Sequence, residues 1–160
     1  HAQSTLDPGA MLHALQYSLR EELSNTEMFI TLFYGVLDRE AGTLQYANAG
    51  HPHVFCCRPN SEPERLGAIE PPLGMSDQAP TSRTGKWTSG KALLVLFTDG
   101  ITDALNSAGQ PMGERRVLDT IKRYAAESPA VIVDRVFDAL NQYTGDIPPR
   151  DDLTLVVLRS

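Results

Sequence analysis

The chain has 160 residues, 41% of them hydrophobic and 21% charged, which is enough to bury a core in one domain and is not the composition of a disordered segment. Acidic residues outnumber basic ones by 20 to 14, for a net charge of −6, so a sequence-independent nucleic-acid binder with a basic face is excluded. No apolar run approaches the length that crosses a bilayer and no signal-peptide pattern is seen, so a cytoplasmic, membrane-free protein is expected.

In chain order, Asp7 and Pro8 open a helix as cap and first-turn residue, and Met11, Leu12, Leu15, Leu19 and Leu23 recur at helical spacing up to Leu23-Ser24-Asn25-Thr26. Met28 to Leu37 is nearly continuous, aromatic and β-branched, which predicts a strand buried on both faces. A turn at 38–42 leads to a returning strand over 43–49, and a third short strand spans Val54 to Arg58. Adjacent Cys56 and Cys57 would point to opposite faces of that strand, so two structural thiols are expected and no disulfide. The proline-rich stretch 59–90 predicts loops with short edge strands.

Ala92 to Phe97 reads as a second fully buried strand running directly into Thr98-Asp99-Gly100. A helix over about Gly113 to Glu127 presents Val117, Leu118, Ile121 and Tyr124 on one face. A second helix has Ser128 as cap, Pro129 at its first position and Gly145 as its stop. The last strand, Leu153 to Leu158, is preceded by Arg150-Asp151-Asp152. Strands joined as hairpins and apolar on both faces predict an α+β fold of mainly antiparallel sheets with helical cover; a single sheet with helices on both faces is the competing layout.

If the strands ending at Phe97 and starting at Leu153 are antiparallel neighbours, Asp99 and Asp151-Asp152 share one sheet edge. Carboxylates gathered there would repel unless a cation sat among them, and an all-oxygen set suits magnesium or manganese. Gly100 would permit close backbone approach, and a helical turn starting at Asp99 would face Asp103 the same way. Each acidic pair also has an ordinary reading as a turn or strand-lead residue. Cys57 lacks the arginine spacing of a cysteine phosphatase loop, and no Asp-x-Asp offers an aspartyl nucleophile.

Thr98-Asp99-Gly100-Ile101-Thr102-Asp103 resembles the second acidic motif of the type 2C, metal-dependent protein phosphatases, and Asp151 to Val157 resembles their last acidic motif. Tyr46-Ala47-Asn48-Ala49-Gly50-His51-Pro52 and Pro72-Leu73-Gly74 are similar to signatures of the bacterial branch typified by the stage II sporulation phosphatase and the stress-sigma-factor regulators. The resemblance covers about residues 24 to 160. It implies a four-layer αββα sandwich over 24–160, with residues 1–23 as a linking or switch helix of one domain spanning 1–160.

It further implies a serine/threonine phosphoprotein phosphatase using two manganese or magnesium ions and an activated water that attacks phosphorus in line. The matching positions make Asp99 and Asp151 metal-ligating, with Asp152 supporting them, Gly100 beside them, and Asp103 near an additional, weaker cation. Arg150 is a candidate for gripping phosphate, and Asn48, Gly50 and His51 form a structural turn in which His51 orders itself rather than acting as an acid. His53 reads as a strand-end residue only.

The branch implies an anti-sigma-factor antagonist as substrate and an upstream sensor or receiver domain. One departure stands out: the family's earlier Asp-x-x-Gly-His-Gly motif has no counterpart here, so the expectation is a domain truncated at its N-terminus, with its first strands missing. The rival reading is a non-catalytic regulatory module, one version being a homodimer that lends strands between chains.

Overall fold

A computed structural model describes residues 7–160; residues 1–6, which belong to the expected linking segment, lie outside the described part. The described chain forms two compact units, one of residues 7–52 and 66–89 and the other of residues 53–65 and 90–160. Each carries its own antiparallel sheet, so a single continuous sheet is ruled out.

In the first unit, helix α1 (Pro8–Thr26) begins as its sequence dictates: Asp7 accepts a hydrogen bond from Ala10 N and Pro8 occupies the first turn. It ends on Glu27 in the left-handed region, φ 53°. Strand β1 (Leu32–Asp38) pairs with β2 (Thr43–Ala49) from Asp38↔Thr43 to Leu32↔Ala49, closed by the expected tight turn, and β2 pairs on its other side with β5 (Arg83–Lys86). Leu12 and Leu23 of α1 are buried with Ala47, Ala49 and Leu73, so these leucines cover the sheet. At about 1.5–3 kcal/mol per fully buried aliphatic side chain, this contact helps hold α1 in place, together with hydrogen bonds from Gly9 N to Ser82 Oγ and from Gln16 Nε2 to Ser76 O.

The expectation that Met28 to Leu37 is buried on both faces is corrected. The strand starts only at Leu32, it is the edge of the sheet in the order β1-β2-β5, and its residues are half-buried or exposed. Met28, Phe29 and Ile30 lie open to solvent. Composition reports that a segment is apolar, whereas burial requires a neighbour on each side.

The second unit holds β3 (His53–Cys57), β4 (Glu64–Arg65), β6 (Leu93–Phe97) and β7 (Leu155–Arg159) in the order β4-β3-β6-β7. Strand β6 lies centrally and is almost wholly buried, as its sequence predicts. Strand β7 starts at Leu155, two residues after the predicted Leu153; it is an edge, its burial alternates, and Val156 and Leu158 are exposed. Helices α3 (Glu114–Arg123) and α4 (Pro129–Thr144) pack Val117, Ile121, Ile132, Val136 and Leu140 against Phe55, Leu93, Val95 and Phe97. Helix α3 stops four residues before the predicted end. Helix α4 starts and ends on the predicted Ser128 cap and Gly145. No helix among the described residues is long and apolar enough to cross a membrane.

Cys56 and Cys57 are free, as predicted, and both are buried. Burial pushes the Cys57 thiol up to about 12, chiefly because the thiolate would lose its hydration. A thiol raised above its unfolded value of 9.0 keeps its proton in the folded state after the unfolded chain has lost it. Its contribution is therefore fully present below pH 9 and declines as pH climbs toward 12, by up to about 1.4 kcal/mol per pH unit. Urea melts should accordingly weaken across that alkaline window, and Cys57→Ser should flatten the decline.

Candidate metal centre

The register of β6 and β7 decides the site. Phe97 pairs with Leu155, so the residues after β6 and those before β7 emerge at one end of the sheet. Thr98 stitches them together: its backbone N–H donates to Thr154 O at 3.1 Å. Its hydroxyl donates to Asp152 O at 2.9 Å and accepts from Thr154 N at 3.0 Å.

A helical turn, α2 (Asp99–Thr102), starts immediately after Thr98. Asp103 N donates to Asp99 O at 2.8 Å, so Asp99 and Asp103 stand one turn apart. The conditional reading of that spacing as helical holds. Gly100 is buried, and a Cβ there would sit 2.4 Å from Asp152 O and 3.3 Å from the Asp151 carbonyl carbon. Only a glycine lets the two acidic segments lie backbone against backbone. Gly100→Ala is expected to cost about 2–3 kcal/mol, because a backbone carbonyl rather than a flexible side chain must move. Chemical denaturation of the two proteins checks this.

Asp99, Gly100, Asp103, Arg150 and Asp151 line one pocket of about 270 Å³, with Ala104 in its wall. The four aspartates at positions 99, 103, 151 and 152 are all exposed. Asp151 Oδ1 accepts from Asp152 N at 2.8 Å, which orients its carboxylate and leaves the other oxygen open. Asp152 does not line the pocket; it contributes through its carbonyl, against Gly100 and Thr98. The donors present are hard oxygens, the right chemistry for magnesium or manganese. Among the described residues no group of three or more His, Cys, Asp or Glu side chains converges closely enough to hold a metal unaided. These residues therefore fit as part of a coordination shell.

The remaining predicted residues, Asn48, Gly50 and His51, lie in the first unit. Asn48 is 1% exposed and donates from Nδ2 to His51 O and Leu66 O, both at 2.9 Å. Its Oδ1 accepts from His51 N at 2.8 Å. Gly50, at φ +74°, would place a Cβ 2.5 Å from Pro72 Cγ, which ties the 46–52 motif to the Pro72-Leu73-Gly74 motif. His51 Nδ1 lies 3.4 Å from Thr31 Oγ1.

Sequence reasoning passed over His53. Its ring stacks on Phe97 at 4.7 Å between centroids, and Nδ1 meets Glu114 Oε2 at 2.8 Å. Glu114 also pairs with Arg65, whose guanidinium lies over Phe55 at 4.7 Å. Next to Glu114, Gly113 N donates to Thr102 O of α2 at 2.8 Å. The start of α3 is thus braced against both the β3–β6 pair and the turn that carries Asp99. The one sequence signal was the position of His53 directly after the His51-Pro52 turn.

The antiparallel α+β fold is the one seen in solved PP2C-type phosphatase domains. The profile of the Stage II sporulation protein E (SpoIIE) family matches residues 1–160, and the chain belongs to that family. It is 27% identical over 159 residues to Phosphoserine phosphatase RsbU of Bacillus subtilis, covering 98% of this chain and 46% of RsbU. It is 29% identical over 138 residues to Protein IcfG of Synechocystis sp., covering 86% of this chain and 22% of that protein. The chain thus spans less than half the length of these curated relatives. Among solved structures, the SiaA-PP2C domain of Pseudomonas aeruginosa superimposes with a TM-score of 0.84 at 23% identity, covering 99% of this chain and 63% of that one. The structure of the PP2C phosphatase domain and a fragment of the regulatory domain of SpoIIE from Bacillus subtilis gives 0.72 at 17% identity, covering 95% and 48%. Both likenesses carry the fold.

Proposed function

We propose that this chain is the larger part of a metal-dependent serine/threonine phosphoprotein phosphatase domain whose substrate is a phosphorylated regulatory protein of the anti-sigma-factor-antagonist kind. The observation that supports this most directly is the shared pocket of Asp99, Asp103, Asp151 and Arg150 at the β6–β7 end. Family membership and the likeness to a phosphoserine phosphatase support the same reading.

In this reading Asp99 and Asp151 hold manganese or magnesium, Asp103 stands near an additional cation, Gly100 lies beside them and Asp152 supports the shell. A divalent cation bound there supplies Lewis acidity and the positive charge that a phosphoryl group needs. The chain's own residues do the rest. Thr98 and Gly100 keep the two acidic segments in contact, so the carboxylates are positioned before substrate arrives. Arg150 forks onto phosphate oxygens and orients the group for in-line attack. An upstream sensor or receiver domain would control the site through α1, and a cytoplasmic setting fits a regulatory phosphoprotein substrate.

A second reading, a regulatory module without catalysis, is favoured by the lack of three converging ligand side chains among the described residues. Phosphate release from a phosphoserine peptide separates the two. The full-length gene product carrying this sequence should release phosphate in manganese or magnesium and none in EDTA. Silence in every metal would leave the module as the better account.

A further inference from the structure

At the far end of the second unit's sheet from the acidic pocket, where Cys57 and Arg159 both register with Leu93, lies a second concavity of about 420 Å³. Four cations line it: Arg58, Lys91, Lys122 and Arg123. No carboxylate does. Cys57, Pro59, Pro63 and Ala125 give it an apolar part, and Asn60 and Ser61 add neutral polar groups.

Arg58 and Lys122 are paired with Glu64 and Glu62, whose side chains remain 52% and 85% exposed and stand outside the lining. Lys91 and Arg123 are exposed, and neither forms an ion pair with a described residue. Arg159 adds a further cation behind the wall. Its guanidinium donates to Ala125 O, and its Nε is buried without a hydrogen-bond partner among the described residues.

Lysine and arginine in the last turn of a helix offset its dipole, which accounts for Lys122 and Arg123 on α3. It does not account for Arg58, which follows β3, or for Lys91, which precedes β6. In a chain with 20 acidic and 14 basic residues, a hollow lined by four cations, of which Glu64 and Glu62 answer only Arg58 and Lys122, is not an average piece of surface.

From this arrangement we infer that the hollow is a binding site for a small phosphorylated organic molecule. The phosphate lies against Lys91 and Arg123, and the apolar body rests on Pro59, Pro63 and Ala125. Arginine suits phosphate through its forked donors, and the volume falls in the small-molecule range of about 300–1,000 Å³. The site is separate from the acidic pocket and does not depend on the phosphatase reading.

The test uses the full-length gene product that carries this sequence, in EDTA, so that no divalent ion can recruit phosphate to Asp99 and Asp151. ADP and inorganic pyrophosphate are titrated separately while backbone amide shifts are followed. Saturable binding of ADP is expected, with shifts confined to residues 57–63, 91 and 122–126. Lys91→Glu and Arg123→Glu should each weaken it at least about ten-fold. Arg115→Ala, on α3 but outside the hollow, should leave it unchanged.

Three results would overturn the assignment. One is non-saturable binding. Another is shifts centred on Asp99 to Asp103 and Arg150 to Asp152. The third is equal weakening by Arg115→Ala, which would mean diffuse attraction only. Pyrophosphate binding as tightly as ADP would overturn the role given to the apolar wall.

Discussion

Asp99→Asn is expected to lower metal-supported phosphate release by about 10²–10³-fold, the range seen when one electrostatic contributor to a transition state is removed. Asparagine keeps the shape but removes the charge, and a neutral amide oxygen is a poor substitute for carboxylate at a hard cation. The fold should not notice. Asp99 is exposed, and its backbone carbonyl, which α2 needs, is retained. Exposed substitutions of this kind stay within about 0.5 kcal/mol, and here one of several clustered negative charges disappears. Phosphate release and a thermal melt on the same preparation check both halves. Unchanged release would remove Asp99 from the metal shell, and a large loss of stability would assign it a structural role.

The largest stability effect is expected at Asn48. The residue is buried, and its amide satisfies three backbone groups, the carbonyls of His51 and Leu66 and the N–H of His51. Alanine leaves all three without that partner at a cost of about 1–3 kcal/mol for each group that water cannot reach. The sum is about 3–5 kcal/mol, since His51 is only half-buried and its groups recover some hydration. Asn48→Asp should be nearly as harmful, because a carboxylate accepts from His51 N but cannot donate to either carbonyl. Denaturant melts of the two variants measure this. If Asn48→Ala unfolds at the same midpoint as the parent, the turn is held by its other bonds, such as Gly50 N to Glu70 O.

These two residues illustrate how differently the parts of the site were legible. The 46–52 motif could be read as a self-ordering turn from local sequence, because its donors and acceptors lie within a few residues of one another. That Leu66 O completes the Asn48 set needs a contact 18 residues away, which spacing does not encode. Likewise Asp99 and Asp103 could be placed one helical turn apart from their interval alone. Their meeting with Asp151 rests on β6 and β7 being antiparallel neighbours although 57 residues lie between Phe97 and Leu155. Met28 to Ile30 show the opposite case, an apolar segment whose burial could not be inferred because nothing local says which strand ends a sheet.

By itself the sequence determined the elements: the capped helices, the hairpin turn at 38–42, the free thiols and the acidic character of the segments flanking β6 and β7. Those properties depend on residues within a turn or two of each other, where chain geometry is nearly rigid. Tertiary structure alone decided the order of strands in each sheet and which strands became edges. It also fitted Gly100 against Asp152 and set His53 against Phe97 and Glu114. Such pairings are chosen by which apolar faces find cover and which backbone groups find partners, and that competition is settled over the whole chain at once.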